Sequence, residues 1–166
     1  MNIRPEKASD IPAIRHVHVE AFKVHPFSRQ TEHFIVEHLR AAGALAISLV
    51  AETEDGIVGH IAFSRALIGG KDTGWFLLGP VGVLPELQRN GIGSALVRQG
   101  LAALQALNVA GCALVGDPHF YGRFGFTSLP GITMPEVPQE YVLALPFGTD
   151  VPTGILGHHE AFLATE

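Results

Sequence analysis

The chain has 166 residues and a formal net charge of -5, with 11 lysines and arginines against 16 aspartates and glutamates. This length makes one domain with a substantial core the default, and the acidic balance excludes general nucleic-acid binding, which needs a basic surface. The single cysteine, Cys112, cannot form an intramolecular disulfide, so we expect a buried thiol and a reducing compartment.

The sequence predicts neither a signal peptide at its N-terminal residues nor a membrane span. It lacks the apolar stretch of a signal peptide, and the longest nearly apolar run, residues 41–51, is much shorter than a membrane span. We therefore expect a cytoplasmic protein that has no membrane partner.

The first half of the chain predicts helices followed by a hairpin. Ser9 and Asp10 indicate a helix N-cap, Gly43 ends a second helical pattern, and Asp55-Gly56 is typical of a tight turn between antiparallel strands. The predicted elements are an edge strand at 2–7, helices at 9–23 and 31–40, and strands at 46–52 and 57–67.

The second half alternates strands and helices. Its first strand contains Gly79-Pro80, which is unusual in a central strand because proline cannot donate to the ladder, so we expect a bulge or a splayed edge there. The predicted elements are strands at 75–83 and 112–116, helices at 91–107 and 119–124, and strands at 140–145 and 153–158.

A glycine-rich loop precedes the helix at 91–107 and reads Gln88-Arg89-Asn90-Gly91-Ile92-Gly93-Ser94. Unpaired N–H groups at such a helix start bind phosphate, and the helix dipole helps them. Arg89 and, farther along, Arg98 add positive charge. The dinucleotide motif G-x-G-x-x-G fails because Leu96 takes its last position, and the P-loop fails because its lysine is missing.

This loop resembles the Q/R-x-x-G-x-G/A loop of GNAT-type N-acetyltransferases. A second family motif, Y-x-x-x-G-F, is matched one strand later by Tyr121-Gly122-Arg123-Phe124-Gly125-Phe126. The resemblance extends over essentially the whole chain and implies one N-acetyltransferase domain at residues 1–166. It also implies the acyl-CoA N-acyltransferase fold, an α/β (α+β) architecture. Its mixed, mostly antiparallel central sheet has about seven strands, is splayed between strands 4 and 5, and is flanked by about four helices.

The resemblance implies acetyl-CoA (coenzyme A) as cofactor. Its pyrophosphate would lie on the backbone N–H groups of the loop, and its pantetheine arm would pair like an extra strand with the strand at 75–83, whose Gly79-Pro80-Val81-Gly82 would open the sheet. The candidate cofactor-binding residues are Val81, Val83, Gln88, Arg89, Asn90, Gly91, Ile92, Gly93 and Ser94.

The reaction implied is transfer of the acetyl group to a primary amine of a small molecule or peptide. The family pattern makes Tyr121 the acid that protonates the leaving thiolate. Backbone N–H groups near Val81 are candidates to polarise the acetyl carbonyl. Many relatives carry a glutamate base on the strand that corresponds to 75–83, and this strand has none, so the base stays open among Glu20, His60, His119 and water.

The acceptor is expected to approach from the side of the first two helices. A partly apolar group of residues on that side consists of Phe22, His25, Phe27, Arg29 and Phe34. The missing glutamate leaves an alternative function, a non-catalytic acyl-CoA-binding sensor or partner domain. The nine histidines match no metal-binding motif, so no metal is expected, and the sequence does not decide between a monomer and a homodimer.

Overall fold

The computed structural model describes all 166 residues and contains four α-helices and nine strands. The helices are α1 (Ile11–Phe22), α2 (Glu32–Ala41), α3 (Ile92–Gln105) and α4 (Pro118–Tyr121). The strands are β1 (Asn2–Pro5), β2 (Ile47–Thr53), β3 (Gly56–Arg65), β4 (Leu67–Ile68), β5 (Trp75–Val83), β6 (Gly111–Val115), β7 (Ile132–Thr133), β8 (Val142–Pro146) and β9 (Gly154–Gly157).

The main sheet has six strands in the order β1-β2-β3-β5-β6-β8. Only β5 and β6 pair in parallel, so the expectation of a mixed, mostly antiparallel sheet is confirmed. The expected seventh strand, β9, instead joins β4 and β7 in a separate small sheet. The sequence analysis did not predict β4 and β7, which have two residues each, and the predicted fourth and fifth strands are therefore β5 and β6.

Alternation along the strands sends neighbouring residues to opposite faces of the sheet. On one face, Val50 of β2 and Ala62 of β3 pack with residues of α1 and α2. On the other face, Ile61 and Phe63 of β3 pack in the largest core cluster with residues of α3. Cys112 is fully buried in that cluster, as predicted.

The sheet opens between β5 and β6. The two strands pair only at their amino-terminal ends, where the last pair joins Leu77 to Ala113, and β5 then runs on to Val83 without β6 beside it. On its other edge β5 has one extra residue relative to β3, because Val81 pairs with Ile61 and Leu78 with Phe63. Gly79-Pro80 lies inside this bulge, so the predicted bulge and the predicted splay are both confirmed.

Gly100 of α3 allows that helix to lie close over β3. A Cβ atom added at this position would lie 2.5 Å from Cε2 of Phe63. We expect Gly100→Ala to lower the free energy of unfolding by about 1–3 kcal/mol, the usual cost of overpacking, measured by urea denaturation. Gly122→Ala is the matched control, since Gly122 has φ -58° and open space around its Cβ position. Equal stability of the two variants would show that the contact with Phe63 relaxes without cost.

Candidate functional site

Three segments meet where β5 and β6 diverge: the start of α3, the second half of β5, and α4. The convergence is seen at Gly93, where a Cβ atom would lie 3.8 Å from Cζ of Phe120 and 3.9 Å from Cγ2 of Val83. The two sequence motifs, separated by more than 20 residues of helix and strand, are therefore neighbours in space.

The start of α3 presents a set of unpaired backbone donors. Gly91 is the N-cap, with the left-handed φ of 83° that favours glycine, and no side chain caps the helix. The first hydrogen bond of the helix runs from Ala95 N–H to the carbonyl of the N-cap, Gly91. The N–H groups of residues 92–94 have no acceptor within the protein. A Cβ atom at Gly91 would meet nothing within 4 Å, so no other residue covers the N-cap at this position. This arrangement fits an anionic group such as a phosphate.

The loop before α3 is held against β5 by one side chain. Gln88 donates from Nε2 to the Val83 carbonyl oxygen at 3.0 Å, so that carbonyl already has a partner. Arg89 and Asn90 are exposed and make no side-chain hydrogen bond within the protein. Arg98 lies over the ring of Phe124, 5.1 Å from its centroid. The structure thus brings all nine predicted cofactor-binding residues to one region and leaves Arg89 as the free cation at its rim.

Tyr121 lies just beyond the end of β6, on the other side of the opening. Its ring packs so closely on the chain that a Cβ atom at Gly116 would lie 2.6 Å from Cε2. The ring is half-buried against Phe120 and Phe126, and its hydroxyl makes no hydrogen bond within the protein. Burial raises the pKa of Tyr121 to about 12, so the phenol keeps its proton at neutral pH and is able to donate it.

The three side chains predicted as candidate bases lie in different environments. Glu20 forms an ion pair with Lys23 at 2.9 Å on the surface, and His119 is exposed after β6. His60 is completely buried on β3, opposite Gly82 of β5. Of the three, only His60 lies beside the splayed strand.

His18, on the buried face of α1, also lies beside the splay, and the sequence analysis did not assign it a role. Its Nε2 atom lies 2.8 Å from Nδ1 of His60, and both rings are buried. Burial lowers the pKa of each, that of His60 to about 3, so both rings are neutral. The signal in the sequence was its helical spacing, three and four residues from Ala21 and Ile14, which puts a polar ring on an apolar face.

The residues predicted to meet the acceptor are only partly brought together. The rings of Phe22, His25 and Phe27 follow one another, with centroids 5.7 Å and 6.3 Å apart, and Phe27 is 90% exposed. Phe34 instead lies on α2 under the guanidinium of Arg15. Arg29 is exposed on the connection between α1 and α2.

Other concave regions lie away from the splay. A surface cavity of about 450 Å³ is lined by Thr73, Trp75, Ala110, Asp150, Val151 and Pro152. No three His, Cys, Asp or Glu residues are gathered in a way that could hold a metal ion. None of the helices has the length and apolar character needed to cross a membrane.

Comparison with known proteins places this geometry in a family. The family model described as an acetyltransferase (GNAT) domain matches residues 44–128, a range that includes both sequence motifs. Among curated proteins, the uncharacterised N-acetyltransferase YhbS of Escherichia coli K12 is 34% identical over 127 residues, which are 76% of this chain and 73% of YhbS. The uncharacterised N-acetyltransferase YjhQ of the same organism is 33% identical over 126 residues, 74% of this chain and 67% of YjhQ.

Two similar solved structures contain the cofactor or its product. A GNAT family acetyltransferase from Brucella melitensis in complex with acetyl-CoA superposes with a TM-score of 0.87, at 46% identity over 97% of both chains. Escherichia coli YhbS in complex with CoA gives a TM-score of 0.84 at 27% identity, over 99% of this chain and 93% of that chain. The protein described here belongs to the GNAT family and is an acetyl-CoA-dependent acyltransferase.

Proposed function

We propose that the protein transfers the acetyl group of acetyl-CoA to a primary amine of a small molecule or peptide, by direct attack of the amine, and that Tyr121 protonates the leaving thiolate. The observation that carries this proposal is the position of Tyr121. Its protonated, unbonded hydroxyl belongs to a ring that packs on Gly116, just beyond the end of β6, and the adjacent Phe120 lies beside the start of α3.

The residues at the opening fit acetyl-CoA. The three free N–H groups at the start of α3 and the exposed Arg89 suit the diphosphate, and the free edge of β5 after Leu77 suits the amide groups of the pantetheine arm. When bound, acetyl-CoA supplies an acetyl group that is activated as a thioester. Backbone N–H groups of the free β5 edge near Val81 would polarise the acetyl carbonyl.

In the reaction the leaving thiolate gains a proton, whereas the amine has to lose one. A thiol with a pKa near 8.5 is a fair leaving group as thiolate, and the Tyr121 hydroxyl can give it a proton. A lysine-like amine with a pKa of about 10.4 is neutral in only about one molecule in 10³ at pH 7, so it must lose a proton before or during attack. Tyr121 gives the proton to the thiolate, and a separate base has to take the proton of the amine.

Cofactor binding is tested by thermal denaturation. Acetyl-CoA at 100 times its dissociation constant should stabilise the protein by about 2.7 kcal/mol, which corresponds to a rise in Tm of about 5–11 °C for a chain of this size. ATP and NAD at the same concentration should leave Tm unchanged, because the loop matches neither nucleotide motif. An equal rise with ATP would contradict the assignment of the loop to acetyl-CoA.

Acetyl transfer is tested by CoA release with a panel of amines that includes aminoglycosides, polyamines and peptides. Release that depends on one class of amine, with mass spectrometry showing the acetylated product, is the expected result. Binding of acetyl-CoA without release of CoA on any amine would instead favour the alternative of a non-catalytic acyl-CoA sensor.

A further inference from the structure

A continuous file of hydrogen-bonded side chains crosses the face of the sheet under α1 and α2. It begins at Arg40, which donates to Glu6 through Nε at 2.8 Å and Nη2 at 2.9 Å. Glu6 is bonded to the hydroxyl of Ser48, and the Ser48 oxygen lies 2.7 Å from Nε2 of His60. His60 Nδ1 then lies 2.8 Å from Nε2 of His18. The file thus connects a partly exposed carboxylate to a buried imidazole.

The donors and acceptors of the hydrogen bonds in this file can be assigned in only one way. Burial opposes ionisation of Glu6, but hydrogen bonds from Arg40 and Ser48 hold its pKa below the usual value, so the group is a carboxylate that can only accept. Ser48 must therefore donate its one hydrogen to Glu6 and accept from His60 Nε2–H. A neutral His60 then has a bare Nδ1, which accepts from His18 Nε2–H.

The last atom of the file is therefore a bare ring nitrogen, Nδ1 of His18. It is buried and has no hydrogen-bond partner. It points at the back of the splayed strand, because a Cβ atom added to Gly82 would lie 3.0 Å from it. Gly82 follows Val81, whose N–H lies at the opening between β5 and β6. A basic atom without a partner thus lies directly behind the point where the acetyl group is proposed to bind.

A row of rings continues from His18 to the surface. Phe22 stacks on His18 with centroids 6.0 Å apart, and His25 and Phe27 follow it to the exposed connection between α1 and α2. The row therefore joins the exposed connection to the ring that packs on the α1 side of Gly82. The file of hydrogen-bonded side chains and the row of rings share one residue, His18.

We propose that His18 Nδ1 is the general base that takes the proton of the acceptor amine, and that His60, Ser48 and Glu6 are positioning residues that hold it ready. This inference rests on the proposed acetyl transfer. In the step, an N–H bond of the amine breaks, its electron pair stays on nitrogen to attack the acetyl carbon, and an Nδ1–H bond forms. The imidazolium is stabilised through the file by the Glu6 carboxylate, and its proton leaves from Nδ1 to water as the products depart.

The charged and titratable groups that face the two imidazoles are few. Arg40 and His33 of α2 lie on one side, and Glu6 approaches Nε2 of His60 to 3.8 Å from the segment after β1. The facing residue of β5 is Gly82, which carries no charge. A change in the pH dependence of turnover on altering the file is therefore assigned to His18 and its partners.

The first test is nitrogen-15 NMR of the imidazole rings in the wild-type chain at pH 7. We expect His18 and His60 to be neutral, with the proton on Nε2 in both, and assign their signals by their absence in His18→Gln and His60→Gln. A proton on Nδ1 of His18, or a charged ring, would overturn the proposal without any measurement of activity.

The second test is the pH dependence of kcat with an amine that the wild type acetylates. His18→Gln should lower kcat at pH 7 by about 10²–10⁴-fold with little change in KM for acetyl-CoA. The loss should shrink toward the pKa of the amine, about 10.4 for a lysine-like group, because the neutral amine then needs no base. His33→Gln is the matched control, since His33 is a buried histidine outside the file, and it should keep kcat within about threefold of the wild type.

Ser48→Ala serves as a second variant in case His18→Gln does not fold. It removes the link to Glu6 and leaves both imidazoles, so we expect a smaller loss of kcat, about tenfold at pH 7, that also shrinks at high pH. A loss of kcat that is the same at every pH, or wild-type kcat in a folded His18→Gln variant, would overturn the assignment of the base. Absence of turnover by the wild type with every amine would instead contradict the proposed function itself.

Discussion

Replacing Tyr121 with phenylalanine is expected to lower kcat for acetyl transfer by about 10²–10⁴-fold, the usual contribution of a general acid. The ring and its contacts with Phe120 and Phe126 remain in this variant, and only the unbonded hydroxyl is lost. The dissociation constant for acetyl-CoA should therefore stay near the wild-type value. Stopped assays of CoA release and isothermal titration measure the two quantities.

The matched control for this experiment is Tyr141→Phe. Tyr141 is the other tyrosine of the chain, is 41% exposed, and should tolerate the change with kcat unaltered. In the wild type, the acid must be protonated to act, and its pKa of about 12 means that activity declines through this group only as pH rises toward that value. A Tyr121→Phe variant with wild-type kcat and weaker cofactor binding would show that the ring packs against the cofactor and donates no proton.

Gly91→Asp is expected to weaken acetyl-CoA binding by about 10–100-fold relative to Gly91→Asn. Both side chains tolerate the left-handed φ of Gly91, both cap helices, and the space before this residue is open. They differ by one negative charge, placed where the diphosphate is proposed to lie. Repulsion of about 1–3 kcal/mol at a partly exposed site corresponds to that loss of affinity.

The same pair of variants gives a readout of opposite sign in the absence of cofactor. An aspartate at the N-cap interacts favourably with the helix dipole, so the free Gly91→Asp variant should melt no lower than Gly91→Asn. The difference in affinity should also decrease as salt is added, because exposed charges are screened. Equal affinities of the two variants at low salt would show that the phosphates bind elsewhere.

The proposed cofactor side of the site rests on features of local sequence. A left-handed glycine at a helix start, the N–H groups after it and a tyrosine four residues before Gly125 are features of short segments, and the two segments approach each other at Gly93 and Phe120. The bulge at Gly79-Pro80 was also predictable, because the missing N–H of a proline disturbs any ladder in which it sits.

The acceptor side could not be predicted in the same way. The sequence analysis places Phe34 with Phe22 and Phe27 on the acceptor side, but Phe34 lies under the guanidinium of Arg15. The small sheet of β4, β9 and β7 was missed because two-residue strands leave no periodic pattern and form only when distant segments meet.

The fold class and the opening of the sheet therefore follow from the sequence, and the phosphate-binding role of the loop and the acid role of Tyr121 stay predictions from it, since each depends on backbone conformations and hydrogen-bond donors set within a few residues. Which polar side chains are removed from water, and which partners they find, depends on how distant segments pack. His18 and His60 are 42 residues apart in the chain and 2.8 Å apart in the fold, and their neutral state depends on burial that no short segment can encode.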